Sequence, residues 1–108
     1  MLEVADVNVD PRHWIGGERV ASADTFEDLS PIDGTVLGQV VRGGQAEADA
    51  AVAAAQDAFP SWARMGARAR GEILHRVADL VEQRLEDFAQ LETRDNGSLL
   101  RSHRRGVM

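Results

Sequence analysis

Cysteine is absent from the 108 residues, which excludes a disulfide framework, a zinc–thiolate site and any thiol nucleophile within them. Lysine is absent as well, since all twelve basic residues are arginine, and a phosphate-binding P-loop requires a lysine. The only aromatic side chains are Phe26, Phe59, Phe88, Trp14 and Trp62, and 16 of the apolar residues are alanine. A core built from these residues is thin, and a chain of this length hides only about two thirds of its unfolded surface. Apolar runs such as residues 50–55 fall far short of the ~20 residues that span a bilayer, so no membrane partner is expected. Cations are in deficit: the net charge of −6 argues against nucleic-acid binding, which depends on displacing phosphate counterions. Glu3, Asp6 and Asp10 give the first ten residues the wrong sign for a targeting leader. A cytoplasmic chain is the expectation, with the length of one small domain.

Periodicity divides the chain in two. Residues 1–12 alternate weakly, carry acid and end in Asp10-Pro11 before Arg12; they predict a flexible arm. Trp14-Ile15 and Arg19-Val20 flank Gly16-Gly17, a hairpin signal because glycine takes positive φ at little cost. A second strand pair is predicted over residues 25–29 and 35–42. Between them lies the turn Ser30-Pro31-Ile32-Asp33-Gly34, and Gly38 marks a candidate bulge.

After Gly43-Gly44 the apolar spacing changes to three and four. Ala48, Ala51, Val52, Ala55 and Phe59 predict an amphipathic helix over residues 45–58, capped by Gly44 and stopped by Pro60. Trp62 and Met65 anchor the connection to a second helix from residue 67 towards 93. Its stripe is Ile73, Leu74, Val77, Leu80, Val81, Leu85, Phe88 and Leu91, with a candidate break at Gln83-Arg84 that periodicity alone does not require. Asp95-Asn96-Gly97 ends the helical region, as residues tolerant of left-handed backbone do.

None of these segments assembles a nucleophile, a base and an oxyanion stabiliser. The Gly16-Gly17, Gly43-Gly44 and Gly66/Gly71 pairs lack G-x-G-x-x-G spacing and read as turns and caps. His13, His75 and His103 are far apart, with no i, i+4 pair to share a metal; His75 is expected at the edge of a buried helix face. Glu86 and Asp87 read as solvated. Arg68, Arg70 and Arg76 read as a charged face paired with Glu72, Asp79 and Glu82. Arg101, Arg104 and Arg105 give a basic tail too short to define an anion site.

The order of the pieces carries more information than any one of them. Trp14-Ile15-Gly16-Gly17 is followed by Ser30-Pro31 with Asp33-Gly34, then by Ala51-Val52 through Phe59 and Trp62. Next come Arg70, Ile73-Leu74, Val77-Ala78-Asp79-Leu80-Val81, and Leu91-Glu92-Thr93 with Asp95-Asn96-Gly97. Across residues 13–97 this succession resembles the N-terminal part of the NAD(P)-dependent aldehyde dehydrogenase superfamily. The pairing of residues 13–17 with Gly43-Gly44 and residues 58–65 is most similar to the semialdehyde dehydrogenases of aromatic catabolism. Ser98-Leu99 departs from the family's Lys-Pro after Asp-Asn-Gly.

The resemblance implies an α/β fold: antiparallel hairpin strands, then two or three helices that pack on a Rossmann-like sheet lying beyond residue 108. It implies that residues 13–108 are the N-terminal, incomplete portion of a coenzyme-binding domain. Family members attack an aldehyde with a cysteine thiolate, stabilise the oxyanion with an asparagine and a backbone N–H, pass hydride to NAD or NADP, and release acid with a glutamate-activated water. None of those positions falls in the matched region, and Asn96 is a helix-end residue rather than the oxyanion donor. The chain alone is therefore expected to be inactive, to bind neither NAD nor NADP, and to be poorly folded. The full-length enzyme is expected to act on a small-molecule aldehyde as a homodimer or homotetramer. One site carries over from some family members, a monovalent cation held by Asp95 and the backbone carbonyls of Asp28 and Leu29; its alternative is an Asp95 that caps or salt-bridges. A stand-alone, non-catalytic interaction module binding through the alanine-rich stripe, and a split enzyme completed by a second chain, are the competing readings.

Overall fold

In the computed structural model, which describes residues 1–106, the chain runs through six short strands and four helices. The side chain of Arg105, and residues 107–108, lie outside the described part. The strands form three separate antiparallel pairs, and the fold is α/β as the resemblance implies.

The first pair corrects the sequence expectation. Residues 1–12 form a hairpin rather than an extended arm: β1 (Leu2–Val4) and β2 (Val7–Val9) pair with Leu2 opposite Val9 and Val4 opposite Val7. Its two-residue turn places Ala5 at φ 51° and Asp6 at φ 63°, the mirror-image turn whose twist matches paired strands. Neither residue is the glycine that normally signals such a turn, so the pattern is illegible in sequence. The hairpin lies against β6, where the Leu2 methyls occupy the space a Cβ at Gly38 would need.

β3 (His13–Ile15) and β4 (Glu18–Val20) close on Gly16 and Gly17, at φ 62° and 81°, as predicted. β5 (Thr25–Leu29) pairs with β6 (Val36–Val41), and the register jumps from Asp28 opposite Gly38 to Leu29 opposite Val36. Leu37 is thus the extra residue of a bulge beside Gly38. The connecting turn is tied by Gly34 N–H to Ser30 O and by Ser30 N–H to Thr35 O, both 2.8 Å. The Asp33 carboxylate accepts from the Thr35 hydroxyl at 2.7 Å.

α1 (Gln45–Arg64) continues through Pro60 instead of stopping before it. Proline removes one N–H donor from the ladder. The chain compensates locally: the Ser61 hydroxyl donates to Ala58 O at 3.0 Å, and the Met65 N–H reaches both Ser61 O and Trp62 O. Arg70 strengthens this end by donating to Met65 O at 2.5 Å, so it is a carbonyl cap and not part of the expected ion-paired face. Of that face, Arg68 pairs with Glu72 at 3.4 Å. His75, expected at a buried edge, is exposed.

The predicted second helix divides at Arg84 (φ −113°, ψ 23°) into α2 (Ala67–Gln83) and α3 (Leu85–Asn96). Glu86 and Asp87 then fall in the first turn of α3, where the helix dipole favours acid. Gly97 ends α3 at φ +78°, and a Cβ there would also crowd Pro31. The tail, which carries no helical signal in sequence, forms α4 (Leu100–Gly106), held to α3 by a bidentate Arg104–Glu86 pair.

Little of this is buried. Ala89 is the one buried hydrophobic residue and Ser30 the one buried polar residue among those described. The radius of gyration is 16.7 Å, against about 13 Å for a compact domain of this length. The accessible surface is 8044 Å², about 2,100 Å² more than the size scaling of folded monomers gives. On its own the chain is therefore expected to bind a hydrophobic dye and to unfold in urea as a broad transition, because side chains without fixed packing do not melt cooperatively. A single sharp transition with dispersed side-chain NMR signals would contradict this.

Candidate functional site

The hairpin β1–β2, the β5–β6 pair and α3 enclose a cavity of about 590 Å³. Its walls are apolar where Leu2, Val40, Phe88 and Leu91 contribute, and acidic where Asp10, Asp28, Glu92 and Asp95 do.

Asp10 is neutralised in place. Arg12 donates to it through Nε at 3.0 Å and Nη2 at 2.8 Å, its own N–H adds a third bond, and the Arg19 guanidinium lies 3.8 Å away. These bonds hold the Asp10 carboxyl well below the usual carboxylate range. Bidentate arginine pairs are the geometrically specific kind. Nothing beyond the adjacency of Asp10-Pro11-Arg12 signals this pair in sequence.

Asp28 has no such cation. It sits near the end of β5, half-buried, with Asp95 from the last turn of α3 within hydrogen-bonding reach of its carboxyl. Burial, then the neighbouring Asp95, push the Asp28 carboxyl above its ordinary value. Two like charges at such separation cannot both ionise freely unless a proton or a cation lies between them. Two of the three residues singled out from the sequence are thus brought face to face. Leu29, the third, follows Asp28 directly where the bulge disrupts the strand ladder. Asp95 makes no ion pair among the described residues, and Asn96 instead ends α3: its Oδ1 accepts from Ser98 N–H and its Nδ2 donates to Glu92, each at 2.8 Å. Carboxylate and carbonyl oxygens suit a hard cation. Among the described residues no cluster of three or more His, Cys, Asp or Glu side chains gathers as a metal site.

A second polar chain links the strands to α1. The Ser22 hydroxyl lies 2.7 Å from His13 Nε2 and donates to Glu47 Oε1 at 3.2 Å, while Glu47 Oε2 accepts from Gly44 N–H at 2.8 Å. A hydroxyl has one proton; with it on Glu47, His13 Nε2 must be the donor to Ser22. Serine sits between the other two, so histidine cannot act as its base against an oriented carboxylate, as a nucleophilic triad requires. Gly43 admits the His13 ring, which would lie 3.2 Å from a Cβ there. This chain fixes helix position and is not visible in sequence, since Ser22 carries no local signal.

The same chain settles whether β6–Gly43–Gly44–α1 is a phosphate cradle. A strand, a glycine pair and a helix N-terminus are the right parts for anion binding. Glu47 already occupies that end, and its backbone hydrogen bonds hold its carboxyl below the usual range. The residues present do not fit a dinucleotide pyrophosphate.

Comparison with known proteins agrees with this division between scaffold and chemistry. Residues 19–108 match the aldehyde dehydrogenase family. The 5-carboxymethyl-2-hydroxymuconate semialdehyde dehydrogenase of Escherichia coli is 42% identical over 85 residues, covering 79% of this chain and 18% of that protein. Among solved structures, HpcC from Thermus thermophilus superposes with a TM-score of 0.87 at 40% identity, over 90% of this chain and 19% of that one. PnpE in complex with nicotinamide adenine dinucleotide superposes with a TM-score of 0.85 at 36% identity, over 89% and 20%. The fold and these matches define a segment of an aldehyde-oxidising oxidoreductase. The chain belongs to the aldehyde dehydrogenase family, and it spans about a fifth of the length of the relatives it matches.

The facing carboxylates give a pH dependence with a definite sign. A raised carboxyl pKa means the folded state holds its proton more tightly, so the associated stability is present at acid pH and lost as pH rises through the raised value. A hybrid in which this chain replaces the matching segment of the Escherichia coli relative is expected to melt at a higher temperature as Asp28→Asn than as wild type at neutral pH. The gap should close as pH falls through the Asp28 titration. A gap independent of pH would show that the two carboxylates do not interact.

Proposed function

We propose that this chain is the N-terminal portion, incomplete, of the coenzyme-binding domain of an NAD(P)-dependent semialdehyde dehydrogenase, with residues 13–108 forming its outer layer. The reading rests on one observation: the hairpin–turn–helix succession of the chain reproduces, in order and in space, the corresponding fifth of relatives that carry semialdehyde dehydrogenase names. The substrate class is a small aldehyde oxidised to its carboxylic acid, with a semialdehyde of aromatic-compound breakdown favoured. The full-length enzyme works in the cytoplasm as a homodimer or homotetramer. No helix among the described residues is long and apolar enough to cross a membrane.

The chemistry belongs to sequence outside these residues. NAD or NADP, when bound to the whole enzyme, supplies hydride acceptance. This chain contributes neither the pyrophosphate turn, which Glu47 precludes at α1, nor a thiol. Its part is positional: β3–β4 and α1 are locked by the His13–Ser22–Glu47 chain, and α3 is set against β5 at Asp28 and Asp95. A monovalent cation at Asp28, Leu29 and Asp95 would relieve the repulsion between the carboxyls and tie the strand to the helix end, where carbonyls add a negative field.

With NAD and 5-carboxymethyl-2-hydroxymuconate semialdehyde, the chain alone is expected to produce no NADH, while the hybrid enzyme does; turnover by the chain alone would overturn the assignment. Potassium or sodium, exchanged for choline at constant ionic strength, is expected to raise the melting temperature of the hybrid, and Asp95→Asn to abolish that rise. Equal melting in all three salts would remove the cation from the account.

A further inference from the structure

Two helices carry long apolar stripes that touch almost nothing within the chain. On α1, Val52 is 58% and Phe59 65% exposed; on α2, Ile73, Leu74, Val77 and Leu80 are 43–61% exposed. Spacings of three, four and seven put each set on one helix face. α2 packs only lightly on α3, and α1 only lightly on β3. Soluble monomers rarely leave contiguous apolar faces of this kind uncovered.

We propose that these stripes form a docking surface for the remaining four fifths of an aldehyde dehydrogenase body supplied as a separate polypeptide, so that the enzyme can be completed in trans. Three observations select this occupant over a second copy. The surface in excess of a compact monomer, about 2,100 Å² on this one partner, exceeds the roughly 800 Å² per partner of an ordinary complex and falls in the obligate range. The chain superposes on its relatives with TM-scores of 0.85–0.87 while spanning 19–20% of them, so it already holds the shape in which that fold accommodates it. The local devices that fix the shape do not draw on the stripes: Arg70 closes α1, Glu47 caps it, Arg104 joins α4 to α3. A surface organised before its partner arrives loses less entropy on binding. The proposal rests on the family membership and on the scaffold role argued above.

The test is co-expression of this chain, tagged, with the Escherichia coli 5-carboxymethyl-2-hydroxymuconate semialdehyde dehydrogenase lacking its matching segment. A 1:1 complex is expected on affinity capture and sedimentation. Val77→Asp with Leu80→Asp, which place charge on the stripe, should reduce recovered complex at least about tenfold. Glu82→Ala should leave it unchanged, and circular dichroism should show equal helix content in all variants because these side chains support nothing inside the chain. Capture of the chain only with itself, failure of any complex to form, or equal recovery with the aspartate variants would each overturn docking. A complex that forms but yields no NADH would support docking and overturn the functional reading instead; loss of activity in the covalent hybrid would do so independently.

Discussion

Unburied apolar surface is the constraint on which the rest of this structure depends. The helices are amphipathic, yet among the described residues only Ala89 provides a buried apolar side chain. At roughly 25 cal/mol per Å², leaving leucine, valine and phenylalanine half in water forgoes the term that normally offsets chain entropy. The fold is therefore a layer, 48 × 36 × 19 Å, whose helices have one neighbour too few. The parallel sheet implied by the resemblance is the missing element; the described strands make three isolated antiparallel pairs, and none offers a broad face for α1 and α2.

Polar devices compensate where apolar burial does not. Each helix junction has a specific side chain at it: Glu47 on the first N–H of α1, Arg70 on its last carbonyls, Asn96 beyond α3, and Glu86 held by Arg104. The Arg104 bonds, with help from Gln90, pull the Glu86 carboxyl down to about 2. Such bonds individually contribute only about 1 kcal/mol, enough to choose a geometry and too little to enforce a cooperative fold. The Asp28–Asp95 contact is the exception in sign, because it costs stability at neutral pH unless a cation or proton intervenes. An arrangement that is unfavourable in isolation and sits between strand and helix end reads as a site for something bound.

Much of the layout is legible from spacing. The glycine pair at 16–17, the bulge near Gly38, the helix starts at 45 and 67 and the left-handed Gly97 each follow from residue chemistry. The failures have identifiable causes. Pro60 reads as the end of α1, but a proline costs one donor, and Ser61 and Met65 restore the end of the helix a turn later. The N-terminal hairpin escapes the pattern because Ala5 and Asp6 occupy positive φ without glycine. α4 escapes it because its stability comes from a contact eighteen residues distant. The candidate site is half legible: the resemblance supplies Asp28, Leu29 and Asp95, while the carboxyl–carboxyl approach and the His13–Ser22–Glu47 chain exist only once the elements are placed.

The central claim is that α1 and α2 need an outside surface to become stable, and amide hydrogen exchange reads this helix by helix. The account predicts that amides of residues 70–82 exchange close to the unfolded rate in the isolated chain. They should slow by at least about a thousandfold, roughly 4 kcal/mol, when the same residues are part of the hybrid dehydrogenase. Strong protection of α2 in both settings would contradict it.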